Sequence, residues 1–244
     1  MKLHVIGSSS AGNGYVIENG KEAIILECGV KLKEVQKTIN YDMSMIIACV
    51  VTHEHGDHSK YIKEYLTAGI DVYLSAGTKE ALALTHHRLH VLQPMVKTKV
   101  YSFDIMAFDV KHDCAEPFGF LIRHSGFGTL LFSTDTYYIP YKFPGLNNIL
   151  LECNYSNAIL DKNLEKGLPP IVASRVLESH MELETCKAFL AANDLTNVYN
   201  IVLIHLSDGN SNAAYFKREI VDLTGKNTHI ADKGMVINLS TNPF

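Results

Sequence analysis

The sequence predicts an α/β protein in which one sheet packs on another and helices lie outside. Strand-like apolar runs dominate the first half of the chain, and helical patterns alternate with strands in the second. No repeat, low-complexity segment or Pro/Gly-rich linker interrupts the 244 residues, so a single domain over 1–244 is expected. That length, with 47% hydrophobic and 20% charged residues, is that of an ordinary globular protein with a substantial core.

Taken in order, short strands are expected at about 2–6, 14–18 and 22–28. The run Gly7-Ser8-Ser9-Ser10-Ala11-Gly12-Asn13-Gly14 is too rich in Gly and Ser to be anything but the first loop. Leu32, Val35 and Ile39 fall at helical spacing over 31–40, with Lys31, Lys33 and Lys37 on the solvated face. The apolar Met45–Val51 run reads as a buried strand, followed by a loop and a helix near 58–68. His86-His87-Arg88-Leu89-His90 reads as the polar end of a short helix. Further strands are expected at about 71–74, 99–104, 106–112, 118–123, 128–132 and 147–152. Helices come next near 156–165, 170–177, 181–193 and 211–223, with a strand at 198–204 and short closing strands at 228–237.

Composition excludes several classes. There is no 18-residue apolar stretch, so no membrane span is expected. The opening Met1-Lys2-Leu3-His4-Val5-Ile6-Gly7 has too short an apolar core for a signal peptide and reads as a strand. Cys28, Cys49, Cys114, Cys153 and Cys186 are scattered, forming neither a disulfide framework nor a C-x-x-C knuckle, which points to the cytoplasm. With 22 basic against 26 acidic residues, a long nucleic-acid footprint is disfavoured, although a local patch suffices for a nuclease.

The most informative segment lies directly after the Met45–Val51 run. Thr52-His53-Glu54-His55-Gly56-Asp57-His58 sets three imidazoles and one Asp within six positions at a strand end. Imidazole and carboxylate are the usual ligands of zinc and its neighbours, and a solvated His-rich loop is the bland alternative. Other ligand-type side chains also close apolar runs. His112 ends Phe108–Lys111, Asp135 comes after Leu130–Thr134, and His205 after Val202–Ile204. Singly, each has an ordinary reading as a packed His or a turn Asp.

The His-x-His-x-Asp-His pattern resembles the signature of the metallo-β-lactamase superfamily, and the likeness runs the length of the chain with five motifs in the family's order. The resemblance implies a four-layer αββα sandwich with metals at one edge, on loops between strands. It implies His53, His55 and His112 on one divalent ion, Asp57, His58 and His205 on a second, and Asp135 bridging them. Glu54 stands one residue away from the position where a di-iron redox relative carries Glu, so the hydrolytic pattern fits. Two ions are implied, with zinc suited to the His-rich set and manganese or iron as alternatives. No Cys is needed as a ligand, and Cys114 is expected to be a packing residue.

Glu152, ending the apolar run 147–152, and His180, ahead of the helix near 181, resemble residues of the phosphodiesterase branch. That branch includes transfer-RNA 3′-processing enzymes and YycJ-like (WalJ) exonucleases. The resemblance implies that Asp57, Glu152 and His180 are catalytic, with Glu152 supporting a His180 that protonates the leaving alkoxide or contacts the scissile phosphate. Against this stands a helix-capping neighbourhood whose His merely packs at the surface. The opening Gly/Ser loop, Glu152-Cys153-Asn154 and His205-Leu206-Ser207-Asp208-Gly209-Asn210 also look YycJ-like, while Tyr155 and Ser179 replace a His and a Gly common there. The implied partner is a phosphodiester, either a DNA or RNA end or a cyclic nucleotide. The competing readings are a small-molecule hydrolase (a cyclic-nucleotide phosphodiesterase first, a lactonase or thioesterase second), a mononuclear iron oxygenase, and a non-catalytic binding module. Tyr137, Tyr138, Tyr141 and Phe143 could stack on a base, wall the site or meet another subunit.

Overall fold

In a computed structural model, residues 1–239 are described; residues 240–244 of the expected domain lie outside the described residues. The first sheet is built from β1 (Lys2–Gly7), β2 (Gly14–Glu18), β3 (Ala23–Leu26), β4 (Ile46–Val50), β5 (Val72–Leu74), β6 (Leu89–Val91) and β14 (Val236–Asn238), in the order β14-β1-β2-β3-β4-β5-β6. The second contains β7 (Lys97–Val100), β8 (Phe103–Asp109), β9 (Phe118–His124), β10 (Gly128–Ser133), β11 (Asn148–Glu152), β12 (Asn200–Ile204) and β13 (Asn227–Ile230), in the order β13-β12-β11-β10-β9-β8-β7.

Alternation along each strand shows why the sheets stack. Tyr15, Ile17, Ile24 and Leu26 share one buried cluster with Phe120, Phe132, Leu150 and Val202, so inward faces of both sheets meet. Their neighbours in sequence face outward. Val16, Ile25 and Cys49 pack with Leu32 and Val35 of α1 (Leu32–Thr38) and with Tyr65 and Leu66 of α3 (Ile62–Thr67). Leu131, Ile149, Leu151 and Leu203 pack instead with Leu190 of α7 (Leu183–Ala192) and Phe216 of α8 (Ala213–Thr224). Strands covered on both faces are continuously apolar, as 23–26 and 149–151 are. The result is the expected αββα sandwich.

Several element expectations need correction. The helix expected over 58–68 is interrupted: α2 (Gly56–Ser59) stops before α3 because Tyr61 N–H donates to the Cys28 carbonyl while Cys28 N–H donates to the His58 carbonyl. His86–His90 does not end a helix. The short helix α4 (Ala76–Ala81) finishes earlier, and Leu89–Val91 forms β6 by pairing with β5. The β7–β8 hairpin turns at 101–102, and β8 ends at Asp109, so His112 lies in the loop beyond the strand. Lys111 N–H donates there to the Thr136 hydroxyl at 3.0 Å instead of to a ladder partner.

Candidate metal centre

Strand direction brings the candidate residues together. β3 through β6 pair in parallel, as do β10 through β13. β8 and β10 are both antiparallel to β9, so β8 ends on the same edge as β10. Carboxyl ends of parallel strands are where such sheets expose loops for chemistry. Glu27, His53, His112, Asp135, Glu152 and His205 all lie at or just past such ends. Glu27, Asp135 and His205 adopt φ of 72°, 48° and 54°, in the left-handed region that side chains other than Gly seldom enter.

Two sets of ligand-type atoms match the expectation, His53, His55 and His112 in one and Asp57, His58, Asp135 and His205 in the other, and a third, overlapping set joins Asp135 and His205 to Glu152 and His180; the atoms of each lie within 4.8 Å of one another. Asp135 stands between the first two. Its Oδ2 is 3.3 Å from His58 Nε2, 3.8 Å from His112 Nε2 and 3.9 Å from His53 Nε2. His55 Nδ1 and His112 Nε2 are 3.0 Å apart, and Asp57 Oδ2 is 3.2 Å from His58 Nε2 and 3.3 Å from His205 Nε2. Tetrahedral ligands at zinc-like bond lengths are separated by about 3.3 Å. Seven residues singled out in the sequence thus meet, and among the described residues no Cys joins either set. Cys114 is half-buried, and its thiol is pushed well up by burial.

The imidazoles are held in defined orientations. His112 Nδ1 lies 2.9 Å from the Ser179 carbonyl, to which it donates, so Nε2 is left for the centre. His53 Nδ1 is 2.9 Å from the Thr52 hydroxyl, leaving its buried Nε2 with no hydrogen-bond partner. His58 Nδ1 is likewise buried without one; Glu27 Oε2 faces it from 3.7 Å. Buried polar atoms without partners are rare, and His53 Nε2, which faces Asp135 Oδ2 from 3.9 Å, is the one placed to meet a further group at the centre.

The charge distribution points the same way. Burial alone would lower His58 and His205. Asp135, helped by Asp57 at both rings, outweighs it, holding His58 well above the usual imidazole range and His205 up at about 10. Burial likewise favours the neutral acids, yet His205 and His58 keep Asp57 and Asp135 below the ordinary carboxylate range. Buried His53 is held well below the imidazole range by burial and by neighbouring His58. The pocket therefore gathers positive charge against its carboxylates, and a divalent cation can displace the protons of His58 and His205. The donor set fits such an ion.

Residues around the centre include several that the sequence alone does not single out. Glu27 is wholly buried and takes the Thr52 N–H at 3.3 Å from both of its oxygens, tying β3 to the loop that carries His53, His55, Asp57 and His58. It falls inside the strand expected over 22–28; the available signal is a carboxylate closing an apolar run, as at Glu152. Asn13 Nδ2 donates to Asp57 Oδ2 at 3.3 Å and lies 3.1 Å from His58 Nε2. Ser8 Oγ accepts the His205 N–H at 2.9 Å and the Tyr15 hydroxyl at 2.8 Å, so the Gly/Ser loop braces this side of the centre. Glu54 accepts the Ala115 N–H at 2.7 Å and thereby anchors the loop after His112. Gly29 is required here by close approach: a Cβ would sit 1.6 Å from the Asp57 carbonyl oxygen.

Glu152 and His180 are also brought together. His180 comes directly after α6 (Pro170–Ser179), and Asn154 N–H donates to the Met181 carbonyl, carrying this segment alongside the end of β11. His180 Nδ1 is 2.7 Å from Glu152 Oε1, while Oε2 accepts Thr136 N–H at 2.8 Å and Met181 N–H at 3.2 Å. Burial would lower His180, but Glu152 reverses this and holds it above the usual range. Its ring is half-buried and stacks on His205 with centroids 5.3 Å apart. Tyr155, standing where YycJ-like chains commonly have His, packs with Leu160 and Ala173 instead.

Comparison with known proteins agrees with this architecture. The model of the beta-lactamase superfamily domain matches residues 24–206. An exodeoxyribonuclease WalJ of Streptococcus pneumoniae is 27% identical over 180 residues, covering 65% of this chain and 64% of the relative, so the match spans less than two thirds of that protein. An exodeoxyribonuclease YycJ of Bacillus anthracis is 26% identical over 231 residues, covering 86% of this chain and 85% of its own. Among solved structures, the metallo-beta-lactamase fold protein YhfI of Bacillus subtilis superposes with a TM-score of 0.73 at 18% identity, over 97% of this chain and 98% of YhfI. Human tRNase Z, short form, gives 0.65 at 16% identity, over 98% and 99%. No helix among the described residues is long and apolar enough to cross a membrane. A match over 24–206, on two stacked sheets with the His and Asp clusters at their shared edge, places the chain in the beta-lactamase superfamily, with the metallo-β-lactamase fold.

Proposed function

We propose that the chain is a single-domain, metal-dependent phosphodiesterase, most like the exonucleases among its relatives and acting on DNA or RNA ends. The observation that carries this reading is the 2.7 Å contact between Glu152 and His180 beside the two converging ligand sets. His53, His55 and His112 would hold one ion, Asp57, His58 and His205 the other, and Asp135 would serve both. Zinc suits this His-rich set best, with manganese and iron as alternatives. When bound, a pair of such ions lowers the pKa of water and stabilises negative charge developing on phosphate oxygens.

The protein's own part is positioning and proton supply. Asn13 and Ser8 fix Asp57 and the His205 backbone, while Glu27 faces the ring nitrogen of His58 turned away from the centre. Glu152 fixes the hydrogen of His180 on Nδ1, leaving Nε2 to carry the proton that is transferred. Water adds to phosphorus, giving up a proton to solvent, and the bond to the leaving sugar oxygen breaks. That oxygen takes the proton from His180 Nε2, which solvent then restores. An alkoxide is a poor leaving group, so this proton is worth about 10²–10⁴-fold in rate. Acyl or lactone hydrolysis on the same fold has less need of it. Free cysteines, four of them buried, suit a reducing cytoplasm.

The test is turnover of bis-p-nitrophenyl phosphate and of a short single-stranded oligonucleotide by wild type, His180→Ala and Asp135→Ala, with metal content measured on each. Hydrolysis by wild type, with metal retained but oligonucleotide cleavage lost in His180→Ala, is expected. A metal-replete wild type inert toward both diesters overturns the reading in favour of acyl or lactone substrates.

A further inference from the structure

Beside the candidate centre lies a hollow of about 570 Å³ whose lining includes His112 itself. Lys111 and Asp113 line it with His112, Leu177 and Glu178 come from the end of α6, Tyr137 from the turn after β10, and Val110 and Pro117 complete it. Tyr137 and Leu177 are 43% and 46% exposed, so an aromatic face and an aliphatic side chain stand open to solvent around one cavity. Lys111 is also exposed and adds an ammonium.

This is not a loose surface patch. Tyr137 N–H donates to the Lys111 carbonyl at 3.1 Å, and the preceding Thr136 N–H donates to Glu152 Oε2 at 2.8 Å. The carboxylate that holds His180 therefore also fixes the turn bearing Tyr137. On the α6 side, Glu178 directly precedes Ser179, whose carbonyl accepts from His112. The walls of the hollow are thus the segments that carry His112 and His180. A group seated there meets Lys111 and Asp113, the chain neighbours of His112, and Tyr137, two residues past Asp135.

We propose that this hollow is a base-stacking subsite for the nucleotide next to the scissile phosphate, with Tyr137 as the stacking face, Leu177 as a second apolar contact and Lys111 meeting the adjoining phosphate. The proposal rests on the phosphodiesterase reading and narrows it to diesters that bear a base. An aromatic face with a neighbouring cation is the arrangement that binds single strands without sequence preference.

The test is equilibrium binding to metal-replete protein of a short phosphorothioate single strand, whose linkages resist turnover. It is compared with the same strand made abasic at either terminus in turn. Stacking of one base predicts that wild type prefers the intact strand by roughly 5- to 100-fold over one of the two abasic strands. In Tyr137→Ala this ratio falls toward one, and Tyr137→Phe restores most of it. Equal binding of intact and abasic strands by wild type, or a ratio unmoved in Tyr137→Ala, overturns the subsite. Because binding is read without turnover, either result is separable from the hydrolysis test, which judges the phosphodiesterase reading alone.

Discussion

Glu152→Gln separates the two roles of the carboxylate under His180. The wild-type side chain makes contacts on both oxygens: Thr136 and Met181 N–H on Oε2, and His180 Nδ1 at 2.7 Å and His205 Nδ1 at 3.3 Å on Oε1. A glutamine can keep its carbonyl on the two backbone donors, which leaves its NH₂ facing both imidazoles. His180 must then accept at Nδ1 and move its hydrogen to Nε2, losing the charge that Glu152 supports. Two charge-assisted contacts become neutral, which predicts a loss of about 1–3 kcal/mol of stability, readable by urea denaturation. The larger effect is on rate. If His180 supplies the leaving proton, kcat on an unactivated sugar diester falls roughly 10²-fold or more, whereas p-nitrophenolate departs as an anion and its ester loses far less. Single-turnover rates on the two substrates, with equal metal content, give the comparison. An equal fold-loss on both esters refutes proton donation and leaves Glu152 with a purely structural role.

The geometry predicts four other outcomes. Glu27→Gln, which removes the charge facing His58 Nδ1, should weaken metal affinity roughly 10- to 100-fold in chelator competition; a change under about twofold denies Glu27 any orienting role. Chelation should lower the thermal midpoint by about 5–10 °C and added zinc or manganese restore it, since ligand at about a hundred times Kd stabilises by about 2.7 kcal/mol. Gly29→Ala should lose metal as well as stability, because its Cβ meets the Asp57 carbonyl oxygen at 1.6 Å; metal content at native fold is the decisive readout. Far from the centre, burial would raise the Glu22 carboxyl, but Ser102 and His124 hold it below its usual value. A lowered carboxyl stabilises the fold above its unfolded pKa of about 4.3 and loses that stabilisation as pH falls through the lower folded value. Glu22→Gln should therefore cost about 1 kcal/mol at neutral pH and nothing in strong acid, by denaturation at several pH values.

Much of this is legible in the chain because its interior strands are apolar on both faces and end abruptly in ligand-type residues. Leu150-Leu151-Glu152 and Leu203-Ile204-His205 announce both the strand and the polar group that closes it. The unread parts share a physical cause. β6 has three residues, lies at a sheet edge and exists through its pairing with β5, so no local period marks it. α2 and α3 look continuous in sequence because the break comes from bonds to Cys28, remote in the chain. Asn13 sits in a loop whose composition excludes regular structure but says nothing of what its side chain will meet. The hollow at Tyr137 needs segments around 111, 137 and 177 at once, and only the β8–β10 connections and α6 bring these together.

The backbone at the centre explains why a carboxylate or imidazole sits at these strand ends where a glycine would be easier. Glu27, Asp135 and His205 each occupy the left-handed region just past β3, β10 and β12, a conformation that costs about 1–3 kcal/mol for a non-Gly residue in an unfavourable case. Three such residues at one edge are held there by bonds formed around the turn. Thr136 N–H reaches Glu152, His205 N–H reaches Ser8, and Thr52 N–H reaches Glu27. The sharp turn lets a residue at the end of a buried strand contribute to the centre while a nearby backbone group is bound by a neighbouring side chain. Glycine would relieve the strain and delete the carboxylate or imidazole. Strain retained at Asp135 and His205 is what a site selected for charge placement requires, and it ties the centre to the rigid middle of both sheets.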